Sequence, residues 1–236
     1  MNQSSITKLH AAVSVYTMPE HAKDLIGSGE ILVLCGVTAA GKNTIANYLV
    51  ERGNFAHVVS HTTRQPRENH GVLEKNGEEY WFVSPEQMLD MVERKSFLEV
   101  KAIHGDTCYG TSIDSVESVV RNGKHPVMEV DVQGALELTQ AVPLLRPLFI
   151  LPPSYEVWME RLGSRGNISD GEKQRRLRSA SMEIRTALDH PAFILTVNHE
   201  VEQTAAEIMS GLDSSSATQF NHRKLAEELI ESVRHL

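Results

Sequence analysis

The stretch Ile31-Leu32-Val33-Leu34-Cys35-Gly36-Val37-Thr38-Ala39-Ala40-Gly41-Lys42-Asn43-Thr44 constrains this chain more than any other. Five apolar residues run straight into a glycine, and Gly41-Lys42 follows after four more residues. A continuous apolar run of that length reads as a strand buried on both faces. The turn behind it needs glycine because the backbone must curl its N–H groups inward around an anion. Beyond the turn, Ile45, Tyr48 and Leu49 within Asn43–Arg52 fall at helical spacing. Strand, loop and helix N-terminus together make a phosphate cradle, to which the helix dipole and Lys42 add positive potential. The plainer alternative is an ordinary glycine-rich strand-to-helix turn, and the flanking pattern argues against it.

Residues Gly36 to Thr44 follow the Walker A (P-loop) pattern with one departure: Asn43 stands where Ser or Thr would follow the lysine. Gly36, Val37, Thr38, Ala39, Ala40, Gly41, Lys42, Asn43 and Thr44 are therefore the candidate contacts to a nucleotide phosphate. The rest of the chain has to supply what such a loop acts upon. At 236 residues it can bury a full core. A net charge of −8 argues against sequence-independent nucleic-acid binding, so anionic ligands need local arginine clusters. Two cysteines, Cys35 and Cys108, make neither a disulfide framework nor a metal set. No apolar run reaches membrane-spanning length, and the amino terminus does not read as a secretory signal, so a reducing cytoplasm is the expected location.

Along the chain, residues 1–16 carry no assignment. Thr17-Met18-Pro19-Glu20 predicts a capped helix start, with the helix ending near Gly27. Apolar runs at Phe55–Val59, Pro126–Val130, Leu145–Leu151 and Ala192–Val197 predict strands. Helical patterns at Ser112–Arg121, Val132–Gln140, Tyr155–Leu162 and Glu172–Leu188 separate several of them. That alternation predicts an α/β fold with a parallel sheet covered on both sides, its ligands beyond the carboxyl ends of the strands. His61 to Thr111 breaks the rhythm: it is polar, with candidate strands at Tyr80–Val83 and Phe97–Ile103 around a helix at Pro85–Arg94, and reads as a β-rich inserted lobe. Residues 163–173 are glycine-rich and charged, as suits a mobile flap. A helix at Val201–Leu212, a serine-rich linker and a last helix at Phe220–His235 complete the chain.

The inserted lobe opens with Ser60-His61-Thr62-Thr63-Arg64-Gln65-Pro66-Arg67, where two arginines and several hydroxyls suit a second phosphate site, because a guanidinium fork matches a phosphate bidentately. Taken singly, Tyr80 and Tyr109 read as half-buried packing residues and Glu99 as a solvated strand carboxylate. The ordered combination is more specific. Gly36–Thr44, Ser60–Arg67, Tyr80–Val83, Phe97-Leu98-Glu99, Tyr109-Gly110-Thr111 and Glu129-Val130-Asp131-Val132-Gln133-Gly134 resemble guanylate kinases in order and spacing, and the resemblance runs on through Leu151–Ser154, Arg161–Gly166 and Arg176-Leu177 to Val197-Asn198.

That resemblance implies a P-loop NTPase fold with a parallel sheet core, an inserted β-rich lobe for the nucleoside monophosphate and a short lid. It implies transfer of the γ-phosphoryl of ATP to GMP, in purine nucleotide metabolism, with Mg²⁺ as cofactor. The implied division is an N-terminal extension (1–29), a kinase domain (30–212) and a linker with a C-terminal helix (213–236). Within the domain, the core is 30–59 and 112–212, the nucleotide lobe 60–111 and the lid 163–173. Arg64, Arg67, Tyr80 and Tyr109 would hold the GMP phosphate, with Ser60, Glu99, Thr111, Glu129 and Asp131 completing the GMP site. Lys42, Arg161, Arg165 and Arg176 would be catalytic, and Asn198 would lie near the adenine of ATP. The ligand-free protein is expected to be open, with Arg165 far from Lys42. Three departures stand out: Asn43, which leaves Mg²⁺ held mostly by water and phosphate; Glu129 in place of aspartate; and a longer stretch between Arg67 and Tyr80. The competing readings are a non-catalytic guanylate kinase-like binding module and a kinase for another nucleoside monophosphate or ribose phosphate. Neither nucleic acid nor membrane is an expected partner, and the sequence names no protein partner.

Overall fold

The computed structural model describes residues 3–27, 31–69, 71–103, 107–164, 169–212 and 214–234. The first half of the chain contains α1 (Gln3–Ser14), α2 (Glu20–Gly27), β1 (Leu32–Gly36), α3 (Lys42–Arg52), β2 (Phe55–His57), β3 (His61–Thr62), β4 (Glu68–Asn69), β5 (Val72–Leu73), β6 (Trp81–Phe82), α4 (Pro85–Glu93), β7 (Phe97–Ile103) and β8 (Thr107–Ser112). The second half contains α5 (Ile113–Arg121), β9 (His125–Glu129), α6 (Val132–Ala141), β10 (Leu148–Leu151), α7 (Tyr155–Gly163), α8 (Asp170–Asp189), β11 (Ile194–Val197), α9 (Val201–Ser210) and α10 (Ser216–Arg234). They form two compact units, Met1–Glu30 with His57–Pro126, and Ile31–Ala56 with Val127–Leu236.

The second unit carries the glycine loop. Its strands belong to a five-stranded sheet ordered β11-β10-β1-β9-β2, in which β1 pairs in parallel with both β10 and β9. All four residues of β10 are buried, as a strand covered on both faces demands. Helices α3, α6 and α8 pack on β1, α9 on α3, and α10 on α8 and β11. Helix starts are chemically marked: Asp131 accepts from the Gly134 N–H, Ser154 from Val157 and Ser169 from Glu172. The C-terminal helix belongs to this core, burying Ala226, Leu229, Ile230 and Val233. At its start the Gln219 side-chain amide accepts from the Leu195 N–H (3.0 Å) and donates to the Leu195 carbonyl (3.1 Å), on the edge strand β11.

The first unit is built on a four-stranded sheet ordered β6-β3-β8-β7. Against it, Leu9 and Val13 of α1 join Met88 and Val92 of α4 and Phe97, Val100 and Cys108 of the sheet in one buried cluster. Helix α4 begins at a capping box between Ser84 and Gln87, with proline in its first turn. Two local expectations change. The helix predicted from Thr17 starts at Glu20, beyond Pro19, and Thr17 instead accepts Lys95 Nζ through its carbonyl at 3.3 Å. The unassigned residues 1–16 hold the twelve-residue helix α1. In the stretch read as a flap, Asp170–Lys173 are the first turn of α8.

Candidate active site

In the second unit the loop between β1 and α3 is fixed by space and by main-chain bonds. Gly36, at φ 130°, lies so close to β10 that a Cβ there would collide with the Ile150 backbone. Gly41, at φ 97°, is equally confined, since a Cβ would meet the Asn198 side chain. Ala39 adopts φ 61°, a left-handed conformation that costs an L-residue about 1–2 kcal/mol. Side chains remote in sequence brace the loop: Trp158 Nε1 donates to the Thr38 carbonyl (2.8 Å), and Asn198 Nδ2 to the Ala40 carbonyl (2.8 Å). Lys42 Nζ folds back onto the carbonyls of Gly36 (2.6 Å) and Val37 (3.0 Å). Two carboxylates, Glu129 and Glu183, feel its charge. Burial raises the Glu129 carboxyl above its ordinary range, with Lys42 opposing, and Glu183 is raised for the same first reason. Asp131 Oδ1 caps α6 through the Gly134 N–H at 2.6 Å.

Asn198, expected near the adenine of ATP, is 1% exposed, and its side chain is committed to Ala40 and to Thr204, whose hydroxyl donates to Asn198 Oδ1 at 3.3 Å, so it braces the loop. Arg161 donates to the carbonyls of Asn198 and His199, both at 3.1 Å. On α8, Arg176 Nε donates to Glu172 Oε1 at 2.9 Å. Arg165 lies outside the described residues. Sequence reasoning missed Trp158, which touches the loop across 120 residues of chain. Its only local sign is an aromatic residue in the helix after β10.

In the first unit, side chains meet side chains. Thr111 Oγ1 donates to Glu99 Oε1 (2.7 Å) and lies 3.2 Å from Ser60 Oγ, so three sequence-predicted residues form one polar string. The Arg64 guanidinium makes a bidentate pair with Glu74 (2.8 and 3.0 Å) and lies over the rings of Tyr80 (5.3 Å) and Phe82 (5.7 Å). Its Nε is buried without a hydrogen-bond partner, a donor left over by the Glu74 pairing. Tyr80 and Tyr109 meet edge to face at 5.8 Å, and Arg67 is exposed, its main-chain N–H on Glu74. Glu74 was not foreseen; it stands in the lengthened stretch between Arg67 and Tyr80. Ser60, Arg64, Arg67, Tyr80, Glu99, Tyr109 and Thr111 thus share one unit, whereas Glu129 and Asp131 share the other with Lys42.

Among the described residues no cluster of three His, Cys, Asp or Glu side chains makes a metal site. The donors at the start of α3 are the exposed Asn43 and Thr44, hard oxygen ligands of the kind a hydrated Mg²⁺ accepts. No helix among the described residues is long and apolar enough to cross a membrane.

Known proteins resemble this chain over most of its length. The family model described as Guanylate kinase matches residues 28–215, leaving α1, α2 and α10 outside. The guanylate kinase of Neisseria gonorrhoeae is 36% identical over 182 residues, covering 77% of this chain and 85% of that protein. The guanylate kinase of Oleidesulfovibrio alaskensis is 33% identical over 208 residues, 88% of this chain and 98% of that one. The crystal structure of guanylate kinase from Anaplasma phagocytophilum superposes with a TM-score of 0.55 at 30% identity, covering 76% of this chain and 82% of that chain. With a matching family model over most of its length and relatives of this identity, the chain belongs to the guanylate kinase family.

Proposed function

We propose that the chain transfers the γ-phosphoryl group of ATP to GMP, giving ADP and GDP. The observation that carries this reading is the string Ser60–Thr111–Glu99 beside the Arg64, Tyr80 and Tyr109 group. Guanine offers N–H donors at N1 and N2 on one edge and acceptors at O6 and N7 on the other. A carboxylate at Glu99 accepts from the donors, and the hydroxyls of Thr111, once turned from Glu99, and of Ser60 serve the acceptors. Adenine carries an acceptor at N1 and would be repelled by the same carboxylate. Arg64 through its spare Nε, with Arg67, Tyr80 and Tyr109, would take the GMP phosphate. Glu129 and Asp131 are assigned to the acceptor side of the reaction, the raised Glu129 being the one suited to hold a proton.

In the reaction an oxygen of the GMP phosphate bonds to the γ-phosphorus, and the bond from that phosphorus to the β–γ bridging oxygen breaks, its electrons remaining on ADP. Such transfer is mostly positioning and electrostatic stabilisation. The glycine-loop N–H groups hold the ATP phosphates. Lys42 exchanges the loop carbonyls for phosphate oxygens, and Arg161, Arg165 and Arg176 stabilise the transferring group. Asn43 and Thr44 with water would hold Mg²⁺, which when bound offsets charge on the phosphate oxygens. We assign residues 60–111 as the GMP lobe, 30–59 and 112–212 as the ATP core and 163–173 as the lid, in a purine-metabolic, cytoplasmic enzyme. A coupled ADP-release assay with ATP and GMP, dGMP, AMP, CMP or UMP tests the reading. GMP is expected to be turned over far faster than AMP, CMP or UMP. No ADP with any acceptor would leave a binding module, and preference for another base would remove Glu99 as base reader.

A further inference from the structure

Helix α1 lies outside the span that matches the family, yet it is built into the lobe that carries Glu99. Its apolar stripe leads to Tyr16, whose hydroxyl donates to the Phe97 carbonyl (2.7 Å) and accepts from the Phe97 N–H (3.0 Å). Strand β7 is an edge of its sheet, so both of those main-chain groups point away from β8. One phenol thus stands in for a neighbouring strand at a single residue. Its ring meets the Phe97 ring edge to face at 6.5 Å, and Lys95 Nζ lies over its other contact surface at 4.6 Å from the centroid.

Phe97 is where the register changes. It pairs with Ser112, but Glu99 pairs with Thr111, so two residues of β7 pass for one of β8. In a regular strand Phe97 and Glu99, two apart, share a face. The bulge places them on opposite faces: Phe97 enters the cluster with Leu9, Val13 and Cys108, while Glu99 stands beside Thr111 and accepts its hydroxyl. Without the extra residue, Leu98 would oppose Thr111 and Glu99 would turn towards the apolar cluster. The register that offers Glu99 to a ligand is therefore held at Phe97, from the far side, by Tyr16.

We infer that Tyr16 is a specificity-determining positioning residue, which fixes the β7 bulge and so aims Glu99 at the guanine edge of GMP. This rests on the assignment of Glu99 proposed above. The N-terminal extension is then part of the acceptor-nucleotide site without touching the nucleotide.

The test uses the full chain with Tyr16→Phe, which keeps the ring and removes the hydroxyl, alongside Glu99→Gln, the double variant, and Leu9→Ala as a control for looser α1 packing. Steady-state kinetics with GMP, AMP and ATP are read below the melting temperature of every variant. Tyr16→Phe is expected to raise KM for GMP about 5-fold, the scale of one or two lost neutral hydrogen bonds, with kcat and the KM for ATP little changed. In the Glu99→Gln background that increment is expected to vanish, because both changes act through one carboxylate. Leu9→Ala is expected to lower the melting temperature and leave KM for GMP unaltered. If Tyr16→Phe behaves like Leu9→Ala, or its effect persists in full beside Glu99→Gln, the inference is overturned while the GMP reading stands. If Glu99→Gln itself leaves discrimination between GMP and AMP intact, the base-reading assignment fails first and takes this inference with it.

Discussion

The glycine loop and the polar string of the lobe solve opposite problems. The loop is fixed through main-chain atoms: Trp158, Asn198 and Lys42 all donate to its carbonyls, and Gly36 and Gly41 sit where no side chain fits. The lobe is fixed through side chains, Thr111 on Glu99, Ser60 beside Thr111, Glu74 on Arg64. A site made of backbone recognises what all nucleotide triphosphates share, and it fails by loss of shape. A site made of side chains recognises one base, and it fails by loss of a partner. Substitutions in the two regions should therefore damage different quantities, rate in one and selectivity in the other.

The strongest way to break this contrast is Lys42→Ala. It should lower kcat about 10³-fold or more, the scale of removing a group that stabilises transition-state charge, while thermal unfolding stays close to the parent. Near-parental turnover would put the charge stabilisation elsewhere. Next comes Glu99→Gln, which should reduce discrimination of GMP over AMP about 100-fold, because a charged acceptor for two donors is replaced by an amide. A fall in kcat for both bases alike would mean that Glu99 acts on rate, and the contrast would collapse.

A smaller effect tests the carboxylates around Lys42. The folded-state pKa of Glu129 is raised, mainly by burial, so the stability associated with its protonated form is present below the unfolded pKa near 4.5 and lost as pH rises through the folded value. Glu129→Gln has no such proton to lose. Urea midpoints of variant and parent should diverge in favour of the variant between pH 4.5 and pH 7.5; a constant difference would show that Glu129 carries no net penalty. The smallest effect is Ala39→Gly. Relief of a left-handed alanine should stabilise the fold by about 0.5–1 kcal/mol after the added chain entropy of glycine, measurable as a raised urea midpoint with unchanged base selectivity.

Legibility in the sequence followed the same division. The loop could be read locally, because Ile31–Cys35 runs into Gly36 and the pattern is contiguous. The string Ser60–Thr111–Glu99 is spread over some fifty residues and became readable only as an ordered set resembling a family. Braces remained hidden: neither Trp158 nor Asn198 carries a local sign that its partner is a loop carbonyl more than a hundred residues away. Helix α1 did leave a signal, since Ile6, Leu9, Val13 and Tyr16 recur at helical spacing, but the segment that carries it is short and otherwise mixed. The bulge at Phe97 left only a faint one. Leu98, Val100 and Ala102 alternate with Glu99 and Lys101, but the adjacent apolar pair Phe97-Leu98 breaks that alternation, and the pairing with β8 shows the extra residue there.

The Gln219 amide on Leu195 has a consequence beyond packing. An edge strand with open N–H and C=O groups is a template on which another chain can add a strand of its own, the first step towards aggregation. In the core sheet one such edge is β11, and a carboxamide near the start of the last helix takes both the N–H and the C=O of Leu195, with His222 Nδ1 also 2.7 Å from the same carbonyl. The last helix is thus a plug as well as a brace, and a chain cut after residue 212 would keep every residue assigned to chemistry while acquiring an adhesive border.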